Sequence, residues 1–404
     1  MKLRVAHIIT QLELGGAQRN TLYTVGQLNP ERFEPTLICG RDGILDAEAK
    51  KGNWPTHFVR WLVRPLRPWD VLALYKIYKL LRQHKPHIVH THSSKAGILG
   101  RIAAYLAGIP VIIHTFHGFG FNQRQKSWTR WLFENLERFC AHLSNHLIFV
   151  SEENRRESIE LRIGTKVPNS LIRSGIQMKS DPTPKKDLNH RRKSKGVRND
   201  LGIPSDAWIV VSVGNFKPQK NPMDLARVAT IVLRRKPDIY FLLVGDGELR
   251  QTVESWVREH QIQNRVHFLG WQKRRDDVMK ILAESNCFLL TSLWEGLPRA
   301  LVEAFVARLP AIAYSVGGVK DILRDGENGH LIPPGNFDMA AEKILWLANH
   351  PLEAVRMGGK GQATVSQEFD IDTMVRDQEN LYQSLYEAVP LKNYYEPLWA
   401  SPPK

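Results

Sequence analysis

The chain has 404 residues, 43% of them hydrophobic and 24% charged, a globular composition with enough length for two domains. Lys and Arg outnumber Asp and Glu by 56 to 41, a net charge of +15, and no run approaches the ~18 consecutive apolar residues of a membrane-spanning helix. The three cysteines (Cys39, Cys140 and Cys287) are too few and too scattered for a disulfide framework or a zinc site, and the opening MKLRVAHIITQLELGG reads as a strand and a glycine loop rather than a signal peptide, so a soluble protein of a reducing cytoplasm is expected.

Short apolar runs alternate with helical patterns. In the first half, strands are expected at 4–10, 36–39, 88–91, 111–115 and 147–150, with helices at 17–28, 71–83 and 96–107 between them. The stretch 180–200 is polar, basic and interrupted by prolines, a composition that buries no core. The alternation then restarts. Strands are expected at 208–214, 240–245, 266–269, 287–291 and 311–314, with helices at 223–234, 248–259 and 298–307. Strand–helix alternation implies parallel sheets with right-handed crossovers. The expectation is therefore an α/β protein of two doubly wound, Rossmann-like domains. An N-terminal domain spans 1–176, a basic linker or loop 177–200 and a C-terminal domain 201–384, with a tail from about 385 to 404 packing back on the first domain. Ligands in such sheets sit beyond the carboxyl ends of the strands, and a cleft between the two domains is the expected active site.

Charge follows the same division. Residues 1–176 carry a net +12, residues 177–200 a net +5 and residues 201–404 a net −2. A basic first half admits an anionic partner, whether nucleic acid, a membrane surface or a phosphorylated substrate, and equally a plain solvated surface.

Several loops carry groups suited to phosphate or sugar. Gly15 and Gly16 in LGGAQRN follow the first strand and open a helix that also carries Arg19, which suits an anion or simply a tight turn. Gly214 ends a strand in VGNFKPQKN, with Asn215, Lys217 and Lys220 behind it; the lysines are placed to meet phosphate or are exposed surface charges. VGDGE at 244–248 supplies another glycine turn, including Gly245. The most informative run is TSLWEGLPRALVEAFVARLP at 291–310. Glu295 stands at a helix mouth, Pro298 in its first turn and Glu303 on its second turn. Eight helical steps amount to ~12 Å, which favours two contacts to one long ligand over a carboxylate pair acting at one bond; an acidic first turn stabilised by the helix dipole fits the same spacing.

The order LGGAQRN, HTFHG, VGNFKPQKN, VGDGE, HFLGW, TSLWEGLPRALVEA and GGVKDIL resembles the large retaining glycosyltransferase family four, of GT-B fold, over residues 4–386. That resemblance implies an enzyme that takes a sugar from a nucleotide-diphosphate donor, UDP being favoured, and adds it to a glycan or lipid-linked glycan in bacterial surface polysaccharide synthesis. It implies that Glu303 binds the ribose hydroxyls and that Glu295 lies near the donor sugar. The backbone at Gly296 and Leu297 would meet diphosphate or sugar, and Gly270 with Trp271 would face the nucleobase. Lys220 matches the lysine that neutralises the departing diphosphate. The companion arginine is absent, Asn215 standing in its place, and Lys217 is the nearby cation that would substitute. In the first half, His117 matches the histidine beside the transferred sugar, with Gly15, Gly16 and Arg19 on the acceptor side, His114 as support and His90 and His92 as wall residues. No metal or other cofactor is implied. The single Asp-x-Asp triplet, Asp370-Ile371-Asp372, precedes a helical run where Asp serves as an N-cap.

The segment 123–142 places Trp128, Trp131, Leu132, Leu136 and Phe139 at helical spacing with Arg124, Lys126, Arg130 and Arg138 between them. It suits an anionic membrane interface, or a core helix with a solvated basic face. Two other functions fit the same chain less well: a nucleotide-sugar epimerase of the same architecture, and a basic nucleic-acid-binding protein, for which no helix-turn-helix, zinc finger or RNA-binding aromatic motif is present.

Overall fold

The computed structural model describes residues 1–65, 67–121, 125–178, 196–272 and 274–389. They form two compact units: residues 1–175 joined by the chain from Asp370 onward, and residues 176–369.

The first unit runs β1 (Leu3–Ile8), α1 (Gly16–Gln27), β2 (Phe33–Cys39), α2 (Asp46–Lys51), β3 (Thr56–Phe58), α3 (Asp70–His84), β4 (Ile88–His92), α4 (Ser94–Leu106), β5 (Val111–Phe116), α5 (Ser127–His142), β6 (His146–Phe149), α6 (Glu152–Glu160) and β7 (Asn169–Leu171). Its seven strands lie in the order β3-β2-β1-β4-β5-β6-β7, all parallel. Side chains alternate between the two faces of a strand, and here both faces are covered. Ala6, Ile8, Val89 and Ile112 pack under Ala73, Ile77 and Leu81 of α3 and Ala103 and Ala104 of α4. Their neighbours in sequence, Leu3, Val5, Ile88, Val111 and Ile113, point the other way.

The second unit runs α7 (Val197–Asp200), β8 (Ile209–Val213), α8 (Pro222–Arg235), β9 (Tyr240–Val244), α9 (Arg250–Glu259), β10 (Val266–Gly270), α10 (Arg275–Ala283), β11 (Cys287–Leu290), α11 (Arg299–Val306), β12 (Ala311–Tyr314), α12 (Val319–Ile322), β13 (Gly329–Ile332), α13 (Phe337–Asn349) and α14 (Pro351–Thr364). Its sheet is parallel in the order β10-β9-β8-β11-β12-β13. Both sheets therefore have a switch point where the strand order reverses, between β1 and β4 in the first unit and between β8 and β11 in the second.

Two boundaries differ from the sequence expectation. The chain returns to the first unit at Asp370 rather than about 385. Helix α15 (Ile371–Glu387) lies on the first sheet, with Ile371, Met374, Val375 and Tyr382 packed among Leu3, Val5, Ile88 and Val111; their 3–4–7 spacing makes one apolar stripe that must be covered. Of the tail, 390–404 lies outside the described residues. Of the segment 177–200, residues 179–195 lie outside them, and its end is not a loop. It forms α7, where the buried Arg198 guanidinium donates to the carbonyls of Pro204, Ala207 and Glu284. The structure adds three strands that the sequence reading lacks: β3, β7 and β13.

Candidate functional site

In the second unit the switch point brings together residues 75 positions apart. The loop after β8 is a run of tight turns: Lys217 N–H donates to the Asn215 carbonyl and Lys220 N–H to the Lys217 carbonyl. Asn221 follows with φ +47, a left-handed backbone unusual for a residue with a side chain. The loop after β11 is joined to it. Thr291 Oγ1 donates to the carbonyls of Lys220 and Asn221 at 3.1 and 3.0 Å, and Leu293 N–H donates to Gln219 O at 2.8 Å. This frame sets Lys220 Nζ 2.5 Å from Glu295 Oε1. Glu295 is 8% exposed, so the carboxylate is a fixed, nearly dry partner for the lysine.

The remaining expected donor residues gather along the same carboxyl edge. Gly214 N–H donates to the Val244 carbonyl and Gly245 N–H to the Gly270 carbonyl, so the ends of β8, β9 and β10 lie side by side. Gly245, at φ +132, is required there, because a Cβ would meet the Gly214 carbonyl oxygen at 2.0 Å. Trp271 is half-buried beside Gly270, and the Leu297 side chain is buried. Lys217 and Asn215 are half-buried on the β8 loop.

Helix α11 starts at Arg299, with Pro298 as its N-cap. Glu295 therefore precedes the helix, and an eight-step helical rise does not separate it from Glu303. The two carboxylates have different partners. Glu303 Oε1 lies 3.7 Å from Arg275 Nε, both side chains largely buried. The sequence reading missed Arg275, since nothing in a helix-opening arginine signals a partner on another helix. It also gave no role to Gly317. At φ +42, this glycine lies against the backbone of Glu295, where a Cβ would meet the carbonyl oxygen at 2.0 Å, and the next residue, Gly318, donates its N–H to Gly296. The two glycines of GGVKD thus hold the Glu295 loop from below.

In the first unit, strand periodicity builds the site. His7 on β1 points to the same face as Leu3 and Val5; His90 and His92 on β4 and Thr115 on β5 share that face. The parallel register sets His7 beside His90 and His92 beside Thr115. His117 follows two positions on and lines a narrow pocket with His92, Thr115, Asn20, Thr21 and Arg173. His92 Nδ1 is 3.2 Å from His117 Nε2, and His7 Nδ1 is 3.1 Å from His92 Nε2. His90 bonds Thr115 Oγ1 through Nε2 at 2.7 Å and the Tyr382 hydroxyl of α15 through Nδ1 at 2.6 Å. Burial lowers the pKa of His117 to about 4 and of His7 to about 3, and pushes His90 and His92 well below the ordinary value. His114 points to the opposite face, buried against Gly97, with Nδ1 2.8 Å from Thr91 Oγ1. Gly15 is the N-cap of α1 and Gly16 its first residue; neither they nor Arg19 line the pocket of His117.

His7, His90 and His92 each bring a ring nitrogen within 4.8 Å of the others, and among the described residues they are the group that metal-ligand spacing singles out. Both nitrogens of His90 are already bonded, and a hydrogen-bonded imidazole cluster accounts for the arrangement. The Asp-x-Asp triplet is built into α15: Asp370 is its N-cap, and Asp372 accepts a 2.6 Å hydrogen bond from Tyr23.

Helix α5 starts at Ser127, and Gln123 and Arg124 lie outside the described residues. Its buried residues are Glu137, Cys140 and Ala141, whereas Trp128 and Trp131 are 64% and 65% exposed and Phe139 is also exposed. Arg130 and Arg138 both pair with Glu134 on the same helix. No helix among the described residues is long and apolar enough to cross a membrane.

Comparison with known proteins matches residues 14–176 to the Glycosyltransferase Family 4 model and residues 194–364 to the Glycosyl transferases group 1 model. The UDP-Gal:alpha-D-GlcNAc-diphosphoundecaprenol alpha-1,3-galactosyltransferase of Escherichia coli is 34% identical over 343 residues, covering 83% of this chain and 86% of the relative. The N-acetyl-alpha-D-glucosaminyl L-malate synthase of Bacillus anthracis is 26% identical, covering 78% of this chain and 79% of the relative. The fold is also that of Anabaena Alr3699/HepE in complex with UDP-glucose, with a TM-score of 0.76 at 19% identity, covering 95% of this chain and 100% of that one. The epimerase reading finds no support in these similarities. The chain therefore belongs to the family 4 glycosyltransferases of GT-B fold, nucleotide-sugar-dependent enzymes of bacterial polysaccharide synthesis.

Proposed function

We propose that the protein transfers a sugar with retention of configuration from a UDP-sugar to a lipid-linked glycan, without a divalent metal, at the cytoplasmic face of an anionic membrane. The observation that carries this reading is the Lys220–Glu295 pair across the switch point of the second sheet. Lys220 is a cation fixed at the carboxyl edge, where α/β sheets receive phosphates, and the start of α11 adds helix N–H groups nearby. Together, with Lys217 on the same loop in support, they stabilise the charge that grows on the departing diphosphate. The donor is further held by Glu303, which accepts two ribose hydroxyls while Arg275 holds it in place. The residues Gly270 and Trp271 face the base and Glu295 the transferred sugar; in the first unit, His117 is the residue that the family resemblance assigns to the sugar. The acceptor is taken up on the first unit, on the side of Gly15, Gly16 and Arg19. As its hydroxyl bonds to the anomeric carbon on the face the diphosphate leaves, its proton passes to the leaving phosphate.

The Escherichia coli relative is named for UDP-Gal, a diphosphoundecaprenol-linked acceptor and an alpha-1,3 product; an alpha product from an alpha-linked donor is retention. The membrane reading rests on Trp128 and Trp131 standing out from α5. Helix α3, which packs on α4 as α5 does, likewise exposes Val71, Leu72 and Tyr75, and its N-cap Trp69 is exposed too. Exposed tryptophans beside basic residues suit the interface of an anionic bilayer.

The test is a panel of nucleotide-sugars offered with a synthetic polyprenyl-diphosphate-GlcNAc acceptor in EDTA, with release of nucleotide and the anomeric configuration of the product as readouts. Acceptor-dependent UDP release and an alpha product are expected. Turnover that needs manganese or magnesium, a beta product, or release of nucleotide without acceptor would each overturn the corresponding part of the reading.

A further inference from the structure

His7, His92 and His117 form a single chain of hydrogen-bonded rings. One bond joins His7 Nδ1 to His92 Nε2 at 3.1 Å, and a second joins His92 Nδ1 to His117 Nε2 at 3.2 Å. Both nitrogens of the middle ring are used. The two outer nitrogens, His7 Nε2 and His117 Nδ1, are buried and meet no hydrogen-bond partner among the described residues. His90, tilted against His92 with ring centroids 4.1 Å apart, takes no part, being held by Thr115 and Tyr382.

A neutral imidazole carries one N–H and one lone pair, and burial keeps these rings neutral. Under that condition, only two proton arrangements make both bonds. In one, His7 donates to His92 and His92 donates to His117, so His117 carries its own proton on Nδ1. In the other, every donor and acceptor is reversed, and His117 Nδ1 presents a lone pair. Any mixed arrangement sets two lone pairs or two N–H groups against each other in a buried site. The tautomer of His117 is therefore locked to those of His92 and His7, and none of the three can change alone.

We propose that His7 and His92 are positioning residues that fix the tautomer of His117, and with it whether His117 offers a donor or an acceptor at Nδ1. The functional consequence rests on the reading of His117 as the imidazole beside the transferred sugar. An N–H there can stabilise negative charge on an oxygen, and a lone pair cannot.

The chain itself is tested on the full-length protein labelled with 15N-histidine. In the wild type, the three rings should carry matched tautomers, and N–H···N couplings should connect His7 to His92 and His92 to His117. In His7→Phe the lock from the third ring is lost, so the tautomer populations of His117 should shift from those of the wild type; His84→Phe, in the same unit but outside the chain, should leave them alone. Outer partners that orient a metal-bound imidazole are worth about tenfold to a hundredfold in activity; by the same orienting effect, kcat of His7→Phe should fall by about that factor with the donor KM within twofold. An unchanged His117 tautomer in His7→Phe, or absence of either coupling in the wild type, would overturn the proposal. The couplings need no variant, so a failure of His7→Phe to fold leaves the test intact. A shifted tautomer with unchanged kcat would uphold the chain and instead remove His117 from the sugar.

Discussion

The Lys220–Glu295 pair allows stability and catalysis to be separated. In Lys220→Met, the Glu295 carboxylate stays at 8% exposure with its cation removed. A hydrogen bond to a charged group is worth about 1.5–3 kcal/mol, and the pair is partly screened by the exposure of the lysine, so a loss of about 2 kcal/mol is expected. In a domain of this size, that lowers the melting temperature by about 4–8 °C. If Lys220 also meets the leaving diphosphate, kcat should fall by about 10²–10³ at saturating donor, the usual cost of one preorganised electrostatic contact. The double variant Lys220→Met/Glu295→Gln then decides between the roles. It removes the stranded charge, so calorimetric stability should return most of the way to wild type, while UDP release with acceptor should stay low. If turnover recovers together with stability, Lys220 does no more than hold the Glu295 loop, and the electrostatic account of the leaving group is wrong.

Glu303→Gln should weaken UDP binding about ten- to hundredfold, because a charged acceptor for the ribose hydroxyls is lost; unchanged affinity by calorimetry in the folded variant would take Glu303 out of the site. Acid should destabilise the first unit. The folded pKa values of His7 and His117, about 3 and about 4, lie below the unfolded value near 6.5, so their contribution is complete above that value and is lost as pH falls through 6.5 toward 4 and then 3, at about 1.4 kcal/mol per ring per pH unit. Thermal melts from pH 7.5 to pH 5 should show this, and a flat profile would contradict neutral burial of the cluster. Alanine at both Lys126 and Arg130 should lower partitioning to anionic vesicles by about tenfold, since each basic residue at such a surface contributes ~1 kcal/mol and Arg130 already shares its charge with Glu134; equal co-sedimentation with neutral vesicles would return α5 to ordinary packing.

The strands visible in the sequence and those hidden in it differ by their neighbours. The ten expected strands all have an observed counterpart, most of them buried between two others and written as runs such as VIIHTF and YFLLV. The three unseen ones are three of the four edges, β3, β7 and β13, carrying THF, NSL and GHLI, whereas the fourth edge, β10, has the longer run VHFLG. An edge strand is paired on one side only, so it needs neither length nor a continuous apolar run. The same logic explains the early return of the chain. The sequence from 371 onward reads as an amphipathic helix, and nothing in its periodicity says which of two sheets its apolar stripe will cover.

The candidate site was legible where chemistry and spacing lie within one loop, and hidden where the fold supplies the partner. EGLPRALVEA identifies Glu295 and Glu303 in one stretch, but the partners that hold them, Lys220 and Arg275, arrive from elements far away in the chain. The histidines show the intermediate case. His90 and His92 stand two apart on one strand, and that spacing alone puts both on the same sheet face. What periodicity could not supply was the neighbour across the switch point. His7 meets them because β1 and β4, separated in sequence by two strands and three helices, are adjacent where the winding of the sheet reverses. Lys220 meets Glu295 for the same reason at the reversal between β8 and β11. At such a point, the crossovers on either side leave in opposite directions, and the space above the strand ends stays open. Polar side chains from non-consecutive strands can gather there, as the histidines do beneath Tyr382 of α15. Each unit has one such point; the histidine chain stands at one of them and the Lys220–Glu295 pair at the other.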